Sequence, residues 1–254
     1  MVHPLLFRRL LLQSLFPLTL VASLATAQAA EGSETAEYRL TTFDPAGLST
    51  TDEGLTFSEN FEGVTNAEDT VPQATAPSGP VIDRAGPFFL VAPDTIEMIG
   101  EVDADTPRQF DRMMTRHPGV TRLVMVDCPG SLDERANHIL ARRVRAAGLA
   151  TRVPRGGYVG SGAVDLFLAG TDRSADASAE FAVHSWRDDD GKEADDYAAD
   201  DPANTEYVAY YRDMGLAEPL ANKFYAITSS VPFDHPRILS AADMAHLGLA
   251  RIAG

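Results

Sequence analysis

Apolar residues along this chain gather into short β-branched runs separated by stretches of helical period, most densely between Val120 and Trp186. Thr121 to Val126 is such a run, stopped by Pro129-Gly130, the pattern of a buried strand that ends in a turn. Leu132, Ala136, Ile139, Leu140, Val144 and Ala147 then recur at helical spacing with Asp133, Glu134, Arg142 and Arg145 opposite. This predicts an amphipathic helix closed by Gly148 in a left-handed cap. Leu149 to Val153 reads as the next strand. Gly156, Gly157 and Gly160 read as a flexible loop leading to Ser161, at the start of the apolar segment Ala163 to Ala169, and Phe181 to His184 as a third strand. Strand, helix, strand, helix, strand at this spacing predicts an α/β fold with right-handed crossovers and a mostly parallel sheet. Functional groups are then expected at the carboxyl ends of the strands, where Pro129-Gly130, Gly160-Ser161-Gly162 and His184 fall.

The flanks extend this pattern. Phe88 to Val91 and Ile96 to Val102 read as earlier strands. Asp105 as N-cap with Pro107 at the first helical position opens a helix through Phe110, Met113 and Met114, ending near His117-Pro118. Asp201-Pro202 opens another, carrying Tyr207, Tyr210, Tyr211 and Met214 and closed by Gly215. The helical spacing of its aromatic residues favours core or subunit packing over ligand binding. Ser240 with Asp243 resembles a capping box, Gly248 ends the helix it starts, and Leu249 to Ile252 reads as a last strand.

Ahead of these elements the pattern changes. Residues 1–29 read as a secretory signal: Arg8 and Arg9 are the basic part, Leu10 to Leu24 the apolar part, and Ala25-Thr26-Ala27 or Ala27-Gln28-Ala29 the cleavage site. The apolar part, interrupted by Gln13 and Pro17, is too short for a good membrane span, so no stable span is expected once the signal is removed. Residues 30–86 are rich in Thr, Ser, Gly, Pro, Asp and Glu without either period and read as an acidic, low-complexity extension or linker, leaving 87–254 as one α/β domain. The formal charge of the chain is −16. Removing the signal makes it about −18, which disfavours nucleic acid and anionic lipid as partners. No internal disulfide is available to the single Cys128, and its place at the end of an apolar strand favours burial. Residues 187–202 hold eight acids against two bases; the spacing around Gly191 fails the EF-hand loop, which argues against calcium, and a solvated loop is expected. No metal or cofactor is expected.

Several residues taken together resemble a family. Leu123 to Gly130 followed by an amphipathic helix, a Gly-rich approach to Ser161, Phe167-Leu168-Ala169-Gly170, Arg173 and a strand closing on Val183-His184-Ser185 are similar to the Clp protease and crotonase superfamily. The likeness is closer still to a group of uncharacterised bacterial periplasmic proteins within it. It also takes in Trp186, Gly191-Lys192-Glu193, Tyr210-Tyr211 to Gly215 and Leu239-Ser240 to Gly248-Leu249, and so spans about Thr95 to Ile252. The resemblance implies a spiral of ββα units, a peptide or protein substrate and a fold that assembles identical chains. It implies Ser161 as nucleophile, His184 as base, and the N–H groups of Gly162 and Gly130 as oxyanion donors. Asp234 lies near the position of the family's acid, although a strict match places Pro236 there and His235 is adjacent. Members of the periplasmic group carry a cysteine pair flanking the serine, where this chain has Val159 and Ala163, and the proteases have a second glycine where it has Ser131.

The chemistry is coherent with that set. A serine hydroxyl needs a base within reach, normally a histidine oriented by a third group. A serine after a glycine loop at a helix start lies beside free N–H groups that can stabilise an oxyanion. Each residue also has a plainer use, Ser161 as an N-cap and His184 as a strand-end histidine held by polar neighbours. Gly160-Ser161-Gly162 is not the G-x-S-x-G elbow, because Val159 occupies the first glycine position. Asp165, unusual on an apolar helix, lies one turn beyond Ser161. Two readings follow: an exported serine hydrolase, in particular a peptidase, or a catalytically silent binding or assembly module on the same fold. Acyl-CoA chemistry is disfavoured by the export signal.

Overall fold

The computed structural model describes residues 75–253, so the signal segment and the extension up to residue 74 lie outside the described residues. The sheet is organised on β4 (Arg122–Cys128), in which Leu123 to Val126 and Cys128 are buried. On one side β4 runs parallel to β3 (Thr95–Ile99), which pairs antiparallel with β2 (Phe88–Ala92), itself paired antiparallel with β1 (Asp83–Ala85). The sheet thus reaches back into the stretch expected as an extension, through a hairpin whose turn residue Gly86 has φ 58°. Three residues of strand are too few to register as a period.

The other side of β4 forks. Arg122, Leu123 and Val124 pair in parallel with β5 (Ala150–Val153), which continues to β7 (Arg173–Ala175) and β10 (Arg251–Ile252). Asp127 and Cys128 pair instead with β6 (Tyr158–Gly160), parallel to β8 (Glu180–Val183), whose far edge carries the antiparallel β9 (Arg237–Ser240). The fold is α/β with a mostly parallel sheet, as the pattern predicts. Where a flexible glycine loop was expected before Ser161, the chain forms β6: β4 and β8 supply a hydrogen-bonding edge on each side, and no local pattern reveals that.

Helices fill the crossovers. α1 (Thr106–Arg116) buries Phe110 and Met113, with Phe110 edge-on to Phe88 at 5.6 Å. Asp105 stands at its N-cap without a side-chain bond to the helix N–H groups, its carboxylate pairing with Arg108; Asp103 Oδ1 accepts from the Thr106 N–H and hydroxyl instead. α2 (Glu134–Ala146) is capped by Asp133, which accepts from the Ala136 N–H, and Gly148 follows it with φ 69°. Its buried stripe is rotated from the expected one: Ala136, Asn137, Leu140, Ala141 and Val144 face inward, while Leu132, Ile139 and Ala147 are exposed. The cause is Asn137, drawn inward by a hydrogen bond from its Nδ2 to the Gly162 carbonyl, 2.6 Å.

α3 (Gly162–Leu168) is buried through Val164, Leu166, Phe167 and Leu168. Behind it pack α4 (Pro202–Asp213), with Tyr210, Tyr211 and the following Met214 buried, and α5 (Glu218–Ser229), a helix outside the expected set. The aromatic stripe therefore serves packing. α6 (Ala241–His246) begins with the expected reciprocal capping box between Ser240 and Asp243. Cys128 is fully buried, and burial pushes its thiol well above the ordinary value. Among the described residues no helix is long and apolar enough to cross a membrane.

Candidate active site

The forked sheet brings three candidate residues to one end. Cys128 is the register partner of Val159, and Gly160 of Ala182, so two residues past Cys128 stands Gly130, just past Gly160 stands Ser161, and two past Ala182 stands His184. They follow the carboxyl ends of three neighbouring parallel strands, β4, β6 and β8, where open α/β sheets place their chemistry. Gly130 and Ser161 are in direct apposition: a Cβ on Gly130 would lie 3.2 Å from Ser161 Cβ and 3.6 Å from its Oγ.

Ser161 has φ 52° and ψ −135°, and is the one non-glycine residue with positive φ among those described. Such a conformation costs on the order of 1–3 kcal/mol and persists where its surroundings impose it. Here the Ser161 N–H donates to Ala182 O at 2.8 Å and its carbonyl accepts from the Val164 N–H at 2.9 Å, pinning the turn between β6 and α3 from both sides. The hydroxyl makes no cap bond to the helix. The plain N-cap role is thus not the one it plays. The strand-turn-helix geometry is that of a nucleophile elbow, without the elbow's sequence.

Around this hydroxyl the N–H groups of Gly130 and Gly162 have no backbone acceptor among the described residues. Gly162 is the first residue of α3, where N–H groups are left over by helix geometry. Its neighbours are close: an added Cβ would lie 2.4 Å from Ser131 Oγ and 3.1 Å from Asn137 Nδ2. Ser131, where a second glycine was expected by resemblance, therefore packs against the start of α3. The loop that carries it is stitched to Val102, whose N–H donates to Gly130 O at 3.1 Å and whose carbonyl accepts from Leu132 N–H at 2.7 Å. Asn137 ties α2 to the start of α3 through its bond to the Gly162 carbonyl, and its buried Oδ1 has no partner among the described residues. No sequence signal marked it beyond an amide on a helix.

His184 is half-buried, and its Nδ1 lies 2.7 Å from the Ser185 carbonyl. A carbonyl only accepts, so Nδ1 carries a proton, and in the neutral ring the lone pair is then on Nε2, the form a general base requires. No hydrogen bond joins His184 to Ser161. Phe233 stands edge-on to the imidazole, with centroids 4.6 Å apart. Asp234, expected as the third member, makes no hydrogen bond to His184: its carboxylate takes a two-point contact from Arg187 at 3.0 and 2.6 Å, which holds its pKa below the usual range. The orienting acceptor on His184 is the adjacent backbone.

Asp165, half-buried by surface area, lies against Tyr210 and Tyr211 of α4. Burial raises its carboxyl to about 7, against a hydrogen bond from Tyr211 that lowers it, and Tyr210 donates to the Asp165 carbonyl at 2.6 Å. Among the described residues no group of three or more His, Cys, Asp or Glu is placed to hold a metal ion.

No family model matches the chain, and no curated protein matches it in sequence. Solved structures are similar in backbone. A ClpP1 variant from Listeria monocytogenes has a TM-score of 0.46 at 13% identity, over 63% of this chain and 91% of that one. The 1510-N membrane protease specific for a stomatin homologue from Pyrococcus horikoshii has 0.42 at 14%, over 62% and 71%. The ClpP catalytic domain from Plasmodium falciparum has 0.44 at 11%, over 62% and 83%. At this level of likeness the chemistry rests on the residues themselves.

Proposed function

We propose that this protein is a serine hydrolase acting on peptide or protein substrates, with Ser161 as nucleophile and His184 as general base. Ser161 Oγ attacks the acyl carbon while its proton passes to His184 Nε2. The N–H groups of Gly130 and Gly162 receive the oxyanion. The proton then passes to the departing amine, and water, deprotonated by the same nitrogen, releases the acyl group. The observation that carries this reading is the uncapped Ser161 hydroxyl in a strained turn, set beside Gly130 at the ends of three parallel strands. Serine–histidine hydrogen bonds often tighten only once substrate is bound, so their absence from the resting geometry is compatible with the role. Asp234 enters this scheme through Arg187 rather than by touching His184.

The second reading, a silent binding module, is favoured by that same lack of a Ser161–His184 hydrogen bond. A fluorophosphonate probe separates the two. Labelling of the wild type that Ser161→Ala abolishes supports the hydrolase, and hydrolysis of any substrate found should then fall by about 10³-fold or more, with His184→Ala nearly as damaging. Labelling that survives Ser161→Ala refutes the nucleophile; wild type that never labels favours the module.

The proposal includes export to the periplasm, on the strength of Arg8-Arg9 and the apolar stretch Leu10 to Leu24. N-terminal sequencing of the exported chain should begin near Gln28 or Ala30, and retention of Met1 would overturn it.

A further inference from the structure

We propose that Arg187 and Phe233 form a clamp that fixes the ring of His184, making both positioning residues for the hydrolysis proposed above, on which this inference rests.

The clamp is a closed circuit of contacts. The Arg187 guanidinium lies over the Phe233 ring, 4.4 Å from its centroid, and Phe233 in turn meets His184 edge-on. Arg187 Nη1 and Nη2 donate to the two Asp234 oxygens, and Nη2 also donates to Glu193 Oε1 at 2.8 Å. Glu193 Oε2 accepts the backbone N–H of Phe233 at 2.9 Å. Phe233 is thus gripped through its ring by Arg187, through its backbone by Glu193, and through its neighbour Asp234 by Arg187 again. The Ser185 N–H donates to Val231 O at 2.7 Å, so the residue that orients His184 Nδ1 is tied to the segment leading into Phe233.

Two features argue that this circuit is directed at the histidine. Phe233 is 36% exposed, and its ring is held by the cation on one contact and by the imidazole on the other. The buried Arg187 Nε has no partner among the described residues, so Arg187 leaves one of its own donors unsatisfied in the position that serves Phe233 and the two carboxylates. A free imidazole rotates and exchanges its proton between nitrogens. Pressed edge-on by Phe233, with Nδ1 spent on Ser185, the ring keeps Nε2 as acceptor. The start of the acidic loop, Arg187 to Glu193, which folds back at Gly191 with φ 80°, therefore acts as a support for the base as well as a solvated surface.

The test uses the whole exported chain and two readouts, the rate of fluorophosphonate labelling and the imidazole 15N spectrum of His184. Phe233→Leu keeps an apolar side chain and removes the ring edge; it should slow labelling about 10-fold and shift His184 from the Nδ1-protonated tautomer towards a mixture. Phe233→Tyr should restore both. Arg187→Lys, which keeps the charge but loses the fork, should move both readouts in the same direction as Phe233→Leu. The clamp is overturned if Phe233→Leu and Arg187→Lys, folded by circular dichroism, leave the tautomer unchanged. If wild type never labels, the hydrolase reading fails, and the 15N spectra alone still decide whether the clamp sets the ring.

Discussion

Around Ser161 the backbone is strained, and the hydroxyl and the N–H groups of Gly130 and Gly162 have no hydrogen-bond partner among the described residues. One turn further along the same helix, the aromatic nest around Asp165 has most of its polar groups engaged. Tyr207 donates to Glu134, Tyr210 to the Asp165 carbonyl, Trp186 Nε1 to the Tyr225 hydroxyl at 2.9 Å, and Tyr225 to Asn204. The rings stack as well, His138 on Tyr210 at 4.3 Å and Tyr207 on Tyr225 at 5.7 Å. A network of hydrogen bonds and stacked rings fixes one arrangement, with His138 Nε2 the exception left without a partner among the described residues, whereas around Ser161 the hydroxyl and the neighbouring N–H donors are left unpaired. α3 thus has an unpaired, strained turn at its start and a densely hydrogen-bonded aromatic nest one turn on.

The sharpest way to break that contrast is Asp165. Its folded value of about 7 lies above the ordinary 3.8 because burial disfavours the charge. Below about pH 4 the carboxyl is protonated in both states and carries no penalty. As pH rises towards 7 the unfolded chain loses its proton while the folded chain keeps it, so stability falls by on the order of a few kcal/mol and then levels off. Asp165→Asn should remove that decline, as read by urea unfolding between pH 4 and 8, and should leave fluorophosphonate labelling unchanged. A decline that persists in the variant would acquit Asp165, and lost labelling would join the nest to the site.

Gly162 tests the open side. Gly162→Ala places a methyl 2.4 Å from Ser131 Oγ and should displace the oxyanion donor, slowing labelling about 100-fold. Adding Ser131→Gly to it removes the obstruction and should return most of the rate. The smallest effect is expected of Ser131→Gly alone, within a few-fold of wild type, because it vacates space without moving a donor. If the double variant is as slow as Gly162→Ala, the close approach at Ser131 is not what excludes a side chain there.

Much of the frame was legible in the chain. β4, α2 and α3 announce themselves through long runs or clear periods, with Pro129-Gly130 after β4, Ser161 at the start of α3 and His184 after β8, in the order the structure uses. Less legible were β6 and β7, three residues each, whose strand character comes from neighbours on either side. The inward face of α2 was displaced because a buried amide is polar by type and apolar by position. Asp234 was selected for its place along the chain, while its actual partner Arg187 stands 47 residues away.

The sequence by itself determined the longer elements, β4, α1, α2, α3 and α4, because burial on one face leaves a local period or an apolar run, and it singled out Ser161 and His184 as candidates for acyl transfer. Only the tertiary structure decided that β4 forks, that Gly130 and Ser161 meet beside it, and that His184 is oriented by Ser185 and pressed by Phe233. Those arrangements depend on register between strands and on groups distant in the chain, whose approach is set by how the sheet closes rather than by any local pattern.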